Sequence, residues 1–483
     1  MKRFLVALSL VMAMCFSILP GAAFAAPAYS TAFSVSITYQ NVGSATATVN
    51  VSFFAENSAT AQTYSAGTLA AGASTSLGVG KAITSGSFKG SAVLSADQPV
   101  IATIVQLDPS GAVKNRPLSN GFGAADGSAQ QLIATVLKNQ FNSSTIFSVQ
   151  NTESAPVNVT VQYYAVGATS PTATVSANNL PAGAAKYFDV GSIAALPNGF
   201  NGSAIVTAKL SSDGTTDGKI VVTVNELDTV GGVAKSFEGS SSSGAKVYMP
   251  SASCNAFGGQ STSYAVQNAD SANSVTFQVR YKPTGGSDVI DGPYTLSAGG
   301  KKSIVTCNKL TAGVAGSAVI ERTAGSGALV AVGKVSGANF QTAFLGIVEN
   351  TGSAKIAVPY IRWASNANVA VDQRSALAIQ NIGNTAATNV QVKYIDKDGN
   401  VVNTHVIGTV AAGAKVSSSP ALANALDSCG RFGIYGASCA SLQFGGGAII
   451  TADSGSQLAV VVRVISGNSG NQAGEDYNGV NVQ

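Results

Sequence analysis

Charge is scarce in this chain. Of its 483 residues only 10% are Asp, Glu, Lys or Arg, the formal net charge is +4, and no basic run is present, which excludes nucleic acid and acidic lipid as expected partners. Histidine occurs once, at His405. No landmark Ser or Cys is placed to use it as a base, so a His-dependent nucleophile is not expected and His405 reads as a strand residue. None of the five cysteines forms a Cys-x-x-Cys pair, which argues against a zinc site. Runs of Leu, Glu, Lys or Arg at helical spacing are few, and beyond the N-terminus no stretch approaches the roughly 18 apolar residues of a membrane span.

What the chain has instead is a fourfold recurrence. Gln-Asn stands at Gln40-Asn41, Gln150-Asn151, Gln267-Asn268 and Gln380-Asn381, at steps of 151−41=110, 268−151=117 and 381−268=113 residues. Each step is the size of an independently folding domain. Each Asn is followed by an alternating apolar segment (Val49-Val51-Phe53, Val159-Val161-Tyr163, Phe277-Val279-Tyr281, Val390-Val392-Tyr394), the period of a half-buried strand. A turn with glycine at Gly72, Gly183, Gly299 or Gly413 follows, then a Gly-Ser-Ala block at Gly90, Gly202 and Gly316, drifted to Gly446-Gly447-Ala448 in the last copy. A nearly all-apolar closing strand ends each unit. The recurrent Asn residues read as turn formers bonding their own backbone, and the glycines as positions needing a conformation that side chains resist.

The expected fold class is all-β: four tandem two-sheet sandwiches of about seven strands each, covering residues 26–128, 129–244, 245–352 and 353–483. In the fourth, the interval from the Gly turn to the third block grows to 446−413=33 residues, so it carries an insertion, which contains Cys429 and Cys439. Residues 1–25 read as a secretory leader: Lys2 and Arg3, an apolar run from Phe4 to Leu19, then Ala23-Phe24-Ala25 as the cleavage pattern. Removing Lys2 and Arg3 takes the net charge from +4 to 4−2=+2. Four cysteines then remain, confined two by two to the third and fourth units, and two local disulfides are expected, Cys254 with Cys307 and Cys429 with Cys439. If the strands of the third unit run successively antiparallel, Cys254 and Cys307 reach the same pole.

Chemistry-bearing motifs are thin. Asp396-Lys397-Asp398-Gly399-Asn400 begins like a calcium loop, but Val401 and Ile407 stand where such a loop needs Gly and Glu; a tight Asp-Gly turn explains it. Glycine pairs such as Gly231-Gly232 have no helix after them to cradle a phosphate. None of the 23 acids stands at a repeat landmark, which weighs against a glycosidase-like pair. No catalytic residue, metal ligand or cofactor is expected. Trp363 reads as core or interdomain packing, with an exposed ligand platform as the alternative.

The segment Ile379-Gln-Asn-Ile-Gly-Asn-Thr-Ala-Ala-Thr-Asn-Val-Gln-Val-Lys-Tyr394, with Val410-Ala-Ala-Gly-Ala-Lys-Val416 after it, resembles bacterial cell-adhesion-related (CARDB-type) and kindred immunoglobulin-like modules. The likeness extends over all four units. It implies immunoglobulin-like sandwiches used as spacer, adhesive or surface-assembly units, and it carries over no catalytic residue.

The expectation is therefore a secreted, non-enzymatic structural or adhesive protein of the cell surface or extracellular matrix. Its charge-poor surface tolerates close packing, so self-assembly is one reading and a neutral secreted protein the other. Expected partners are further copies of itself, other cell-surface proteins or glycans; a carbohydrate- or ligand-binding module is the alternative. Two structural expectations complete the reading. Aromatics near the linkers (Phe122, Phe237, Phe344, Tyr477) are placed to pin the joints of a semi-rigid array. The first unit lacks the opening strand its sisters have, leaving a sheet edge to be covered by residues 26–32 or the linker, or by a neighbour's tail, Tyr477 to Gln483.

Overall fold

The computed structural model describes residues 31–84, 86–228, 230–337, 340–364, 373–427, 442–466 and 473–482. Cys429 and Cys439 lie outside them.

Alternation becomes layering directly. In the strand Ala47–Ala55, Val49, Val51 and Phe53 are almost fully buried while Asn50, Ser52 and Phe54 between them are partly exposed, because successive side chains point to opposite faces. The same alternating strand, Val157–Ala165, Val275–Pro283 and Ala387–Asp396, recurs along the chain, and the fold is all-β with antiparallel, sandwich-like sheets.

Two kinds of sheet recur. In one, the Gln-Asn strand lies between the short strand after the glycine turn and the apolar closing strand, and a further strand adds beyond that: Ser74–Gly78, Ser34–Asn41, Val100–Leu107, Leu118–Asn120 in the first unit, and Ala185–Asp189, Ser143–Asn151, Ile220–Asp228, Val233–Glu238 in the second. The third unit repeats this order with Lys301–Val305, Ser261–Asn268, Leu329–Gly337 and Phe340–Leu345. The last strand of each set is called the axial strand below. In the other sheet the alternating strand pairs with the Gly-Ser-Ala strand, which pairs in turn with an opening strand: Phe200–Leu210 with Gln130–Lys138, and Ala315–Gly325 with Lys246–Ser253. In the fourth unit the opening strand Lys355–Ala364 also pairs with the Gln-Asn strand Gln373–Asn381 through Trp363 and Ala364, so both layers join into one nine-stranded sheet.

The first unit has only three strands in this second sheet, Ala61–Leu69, Ala47–Ala55 and Gly90–Ala96, and no described strand on the far side of Gly90–Ala96.

The C-terminal tail is not free. Val480–Asn481 pairs with the opening strand of its own unit, Ala357 facing Val480 and Ile356 facing Asn481. Tyr477 lies in the axial strand Ala473–Asn478, and its hydroxyl donates to the Tyr360 carbonyl at 2.6 Å. Expecting this tail as a donor to another molecule's edge is therefore corrected: completing its own sheet satisfies the same backbone groups without any loss of translational freedom.

Placement of the linker aromatics is corrected too. Phe237, Phe344 and Tyr477 are buried in hydrophobic cores, each paired across the sheet with its closing strand at Val224, Gly333 and Val462. The residue in this register in the first unit is Ser119, opposite Ile104, and not Phe122, which is partly exposed.

Cys254 and Cys307 are joined as a disulfide across 53 residues, their Cα atoms 4.9 Å apart. Cys254 follows the opening strand and Cys307 the strand Lys301–Val305, so both do reach one pole.

Candidate functional joints and the buried polar axis

The recurrent Asn builds a turn in every unit. The Asn41 side-chain amide donates to the Ala45 and Leu69 carbonyls at 2.7 and 2.9 Å and its oxygen accepts from Gly43 N–H at 2.9 Å. Asn151 does the same with Ala155, Leu180 and Glu153, Asn268 with Asn273, Ser297 and Asp270, and Asn381 with Thr385, Val410 and Gly383. One buried amide thus ties its own turn to the chain entering the glycine turn, satisfying backbone groups that water cannot reach.

The turn glycines serve two purposes. Gly72, Gly183, Gly299 and Gly413 have φ of +76°, +74°, +66° and +72°, which L side chains resist. Each also presses against the preceding unit. A Cβ at Gly183 would stand 2.7 Å from the Phe54 ring, at Gly299 2.5 Å from the Tyr164 ring, at Gly413 3.0 Å from Lys282, and at Gly72 3.2 Å from the Gly399 carbonyl. The last contact runs from the first unit to the fourth, so the four units close in a ring.

Backbone contacts at these joints come from the other landmarks. Ser91 and Ser203, from the Gly-Ser-Ala blocks, donate to the carbonyls of Gly183 and Gly299 in the next unit at 2.7 and 2.8 Å. Gln267 donates back to Ala204 at 3.2 Å, and Gln150 to Ala92 at 3.5 Å and to its own Gly183 at 3.1 Å. At the closure of the ring, Ser74 N–H donates to the Lys397 carbonyl at 3.1 Å. There Gly447 replaces the serine, and a Cβ on it would meet Gln40 at 2.7 Å. The turn Asp396 to Asn400, held by Asp396 Oδ1 accepting from the N–H groups of Asp398 and Asn400, packs against the first unit through Gly399.

The four axial strands meet at the middle of the ring, and polar groups fill the meeting point. The Asn115 side chain donates to the carbonyls of Ala234, Gln341 and Gly474, one from each of the other three units, at 2.6, 3.3 and 3.3 Å. Arg116 N–H donates to Glu475 at 2.7 Å, Thr342 to Asp476 at 2.7 Å, and Arg463 to both Asp476 oxygens at 2.9 and 2.8 Å. Asn120 N–H donates to Glu238, and Gln341 to Asp228 at 2.9 Å.

Between the second and third units lies a cationic cluster around one carboxylate. Glu226, fully buried, accepts from Lys334 at 2.7 and 2.8 Å, with Lys235 at 3.8 Å. Lys301 donates to Thr135 at 3.0 Å and Asn201 at 2.6 Å. Burial works to raise the Glu226 pKa, but Lys334 and Lys235 outweigh it and hold the group below its ordinary 4.5. Burial pushes Lys235 down to about 8 and Lys301 well below its usual range, the positive charge of Lys334 adding to both. Glu238 goes the other way, raised by burial to about 6. Each of these groups has a fixed partner, Glu226 in Lys334, Lys235 in Gln341, Lys301 in Thr135 and Asn201, and Glu238 in the Asn120 N–H, which suits a fixed joint better than proton transfer to a substrate.

Sequence reasoning missed both the joint residues and this cluster. The signal for the first was the recurrence of Gln and Ser in register. For the second it was Lys334 and Glu226 toward the ends of closing strands that begin as nearly apolar runs. The other residues weighed for chemistry have ordinary surroundings: His405 Nδ1 lies 2.8 Å from Ser418 Oγ, and Trp363 is partly buried against the fourth core. Among the described residues no group of three or more His, Cys, Asp or Glu is placed to hold a metal, and no helix is long and apolar enough to cross a membrane.

No protein-family model matches the chain, and no curated protein matches it.

Proposed function

We propose that this is a secreted, non-enzymatic structural or adhesive protein of the cell surface or extracellular matrix, built of four immunoglobulin-like sandwiches. The observation that carries this reading is where the recurrent side chains go. Gln, Asn and Ser landmarks bond the backbone of their own sandwich or a neighbouring one, and buried charges pair between units, Lys334 with Glu226 and Arg116 with Glu475. Such a construction holds four sandwiches as one stiff body, which suits a building block or an adhesive platform. Its charge-poor surface lets faces approach without strong ionic repulsion.

A carbohydrate- or ligand-binding module remains the second reading, and one observation favours it. Phe141 and Phe257 are each 66% exposed, on the matching loops that follow the opening strands of the second and third units. Both hold positive φ, +53° and +49°, which is uncommon for a bulky residue and draws attention to function. Electron microscopy of the secreted chain tests the first reading: ordered fibres or sheets with a ring-shaped repeat are the expected result. Dispersed single particles that bind immobilised glycans, and lose that binding in a Phe141→Ser, Phe257→Ser variant, would replace it with the second.

A further inference from the structure

The second, third and fourth units are internal controls for the first. In each, the Gly-Ser-Ala strand or its drifted counterpart is paired on both edges, and the residue in the register of Leu94 is covered: Val206, Ile320 and Ile450 are 0% exposed. Closing-strand residues facing the same space, Ile220 and Val222, Leu329 and Ala331, Leu458 and Val460, are all at 2% or less. In the first unit the counterparts Leu94, Val100 and Ala102 are only partly buried. Ser119 stands where Phe237, Phe344 and Tyr477 plug the sister cores. An apolar slot and an unpaired backbone edge therefore coincide on Gly90–Ala96 among the described residues.

The chain's own register shows what is missing. The opening strand begins 151−130=21, 268−246=22 and 381−355=26 residues before the landmark Asn, and ends 151−138=13, 268−253=15 and 381−364=17 before it. The same offsets from Asn41 fall on residues 41−26=15 to 41−13=28, across the leader. If the leader is cut after Ala25, as its pattern predicts, most of that strand leaves with it.

We propose that the first unit accepts, in trans, an extended segment of a separate polypeptide as its opening strand. The occupant pairs in antiparallel register along Gly90–Ala96 and places apolar side chains at alternate positions over Leu94, Ala96 and Val100. Its chemistry is set by the strands that fill the sister slots. Nearest is Gln130–Lys138, because its partner Gly202-Ser-Ala-Ile-Val-Thr-Ala208 matches Gly90-Ser-Ala-Val-Leu-Ser-Ala96 position by position in polarity. Backbone pairing supplies affinity and the alternate pockets supply selectivity. This site deepens the proposed adhesive role and rests on it.

The test uses the secreted chain and a synthetic peptide of residues 130–138, Gln-Gln-Leu-Ile-Ala-Thr-Val-Leu-Lys. Saturable binding is expected, with amide exchange across Gly90–Ala96 slowed about tenfold or more, and no binding of the same peptide carrying Ile133→Asp and Val136→Asp. A Leu94→Asp variant should lose the peptide while its Gly202–Ala208 amides stay as protected as before, which shows the ring still folded. Absence of peptide protection, or Gly90–Ala96 amides already as slow as Gly202–Ala208 in dilute protein, would overturn the proposal. So would protection that rises with protein concentration alone, since the occupant would then be a second copy. Ordered assemblies in the microscope without peptide binding would leave the structural role standing and remove only this site.

Discussion

The first and second sandwiches begin from nearly the same text and end with different interiors. Both carry Gln-Asn, an alternating strand, a glycine turn and a Gly-Ser-Ala strand, yet the second encloses a continuous core from Leu132 to Phe237 and the first encloses a smaller one whose rim along Leu94, Ala96 and Val100 is half open. Among the described residues the difference is one strand and one aromatic ring. An apolar strand in this fold is covered only when both neighbours are present, because burial depends on what lies opposite and not on the strand's own composition.

The contrast can be broken most severely at the joint between the second and third units. Lys334→Ala would leave Glu226 buried with only Lys235 at 3.8 Å and the Thr135 hydroxyl at 3.3 Å, and a loss of about 3–5 kcal/mol is expected, the range for breaking a buried ion pair. Gln106, the residue in the first unit's register with Glu226, is nearly as buried and uncharged; Gln106→Ala should cost much less in denaturant unfolding. Next comes the disulfide. Reducing Cys254–Cys307 opens a 53-residue loop, and the chain-entropy model assigns about 4 kcal/mol to closing it, with measured values often lower; the third unit should lose exchange protection before the second.

A matched pair of core deletions sharpens the comparison directly. Val206→Ala should cost about 2–3 kcal/mol and Leu94→Ala about 1 kcal/mol or less, since a cavity term arises only where the site is closed. Equal losses would show that the first slot is covered. A pH dependence of similar size completes the comparison. Glu238, raised by burial to about 6 from an ordinary 4.5, favours the protonated form in the fold. Its contribution is therefore fully present below about pH 4.5 and is lost as pH rises through 6, about 2 kcal/mol in total. The melting temperature of Glu238→Gln should fall less than that of the parent between pH 4.5 and 6.5.

Much of the fold is legible in the residues themselves. Val49-Val51-Phe53 and its three counterparts state their period, and period fixes which face is buried. Asn41, Asn151, Asn268 and Asn381 stand before turns, where a short amide reaches its own backbone, so their local bonding follows from chain position. Cys254 and Cys307 pair because successive antiparallel strands bring their ends to one pole. The joints were harder to read. A Gln that touches the previous unit looks, in sequence, like any polar strand residue, and Lys334 gives no sign that Glu226 lies across an interface 108 residues away.

By itself, then, the sequence determined the strands, their faces, the turns and the disulfide within the third unit, because each depends on residues near in the chain or on a period repeated in it. Only the tertiary structure decided that the units close into a ring, that Gly72 meets Gly399 and that the tail completes its own sheet. Those outcomes depend on which surfaces meet across hundreds of residues, and meeting is a property of packed shapes that no local pattern encodes.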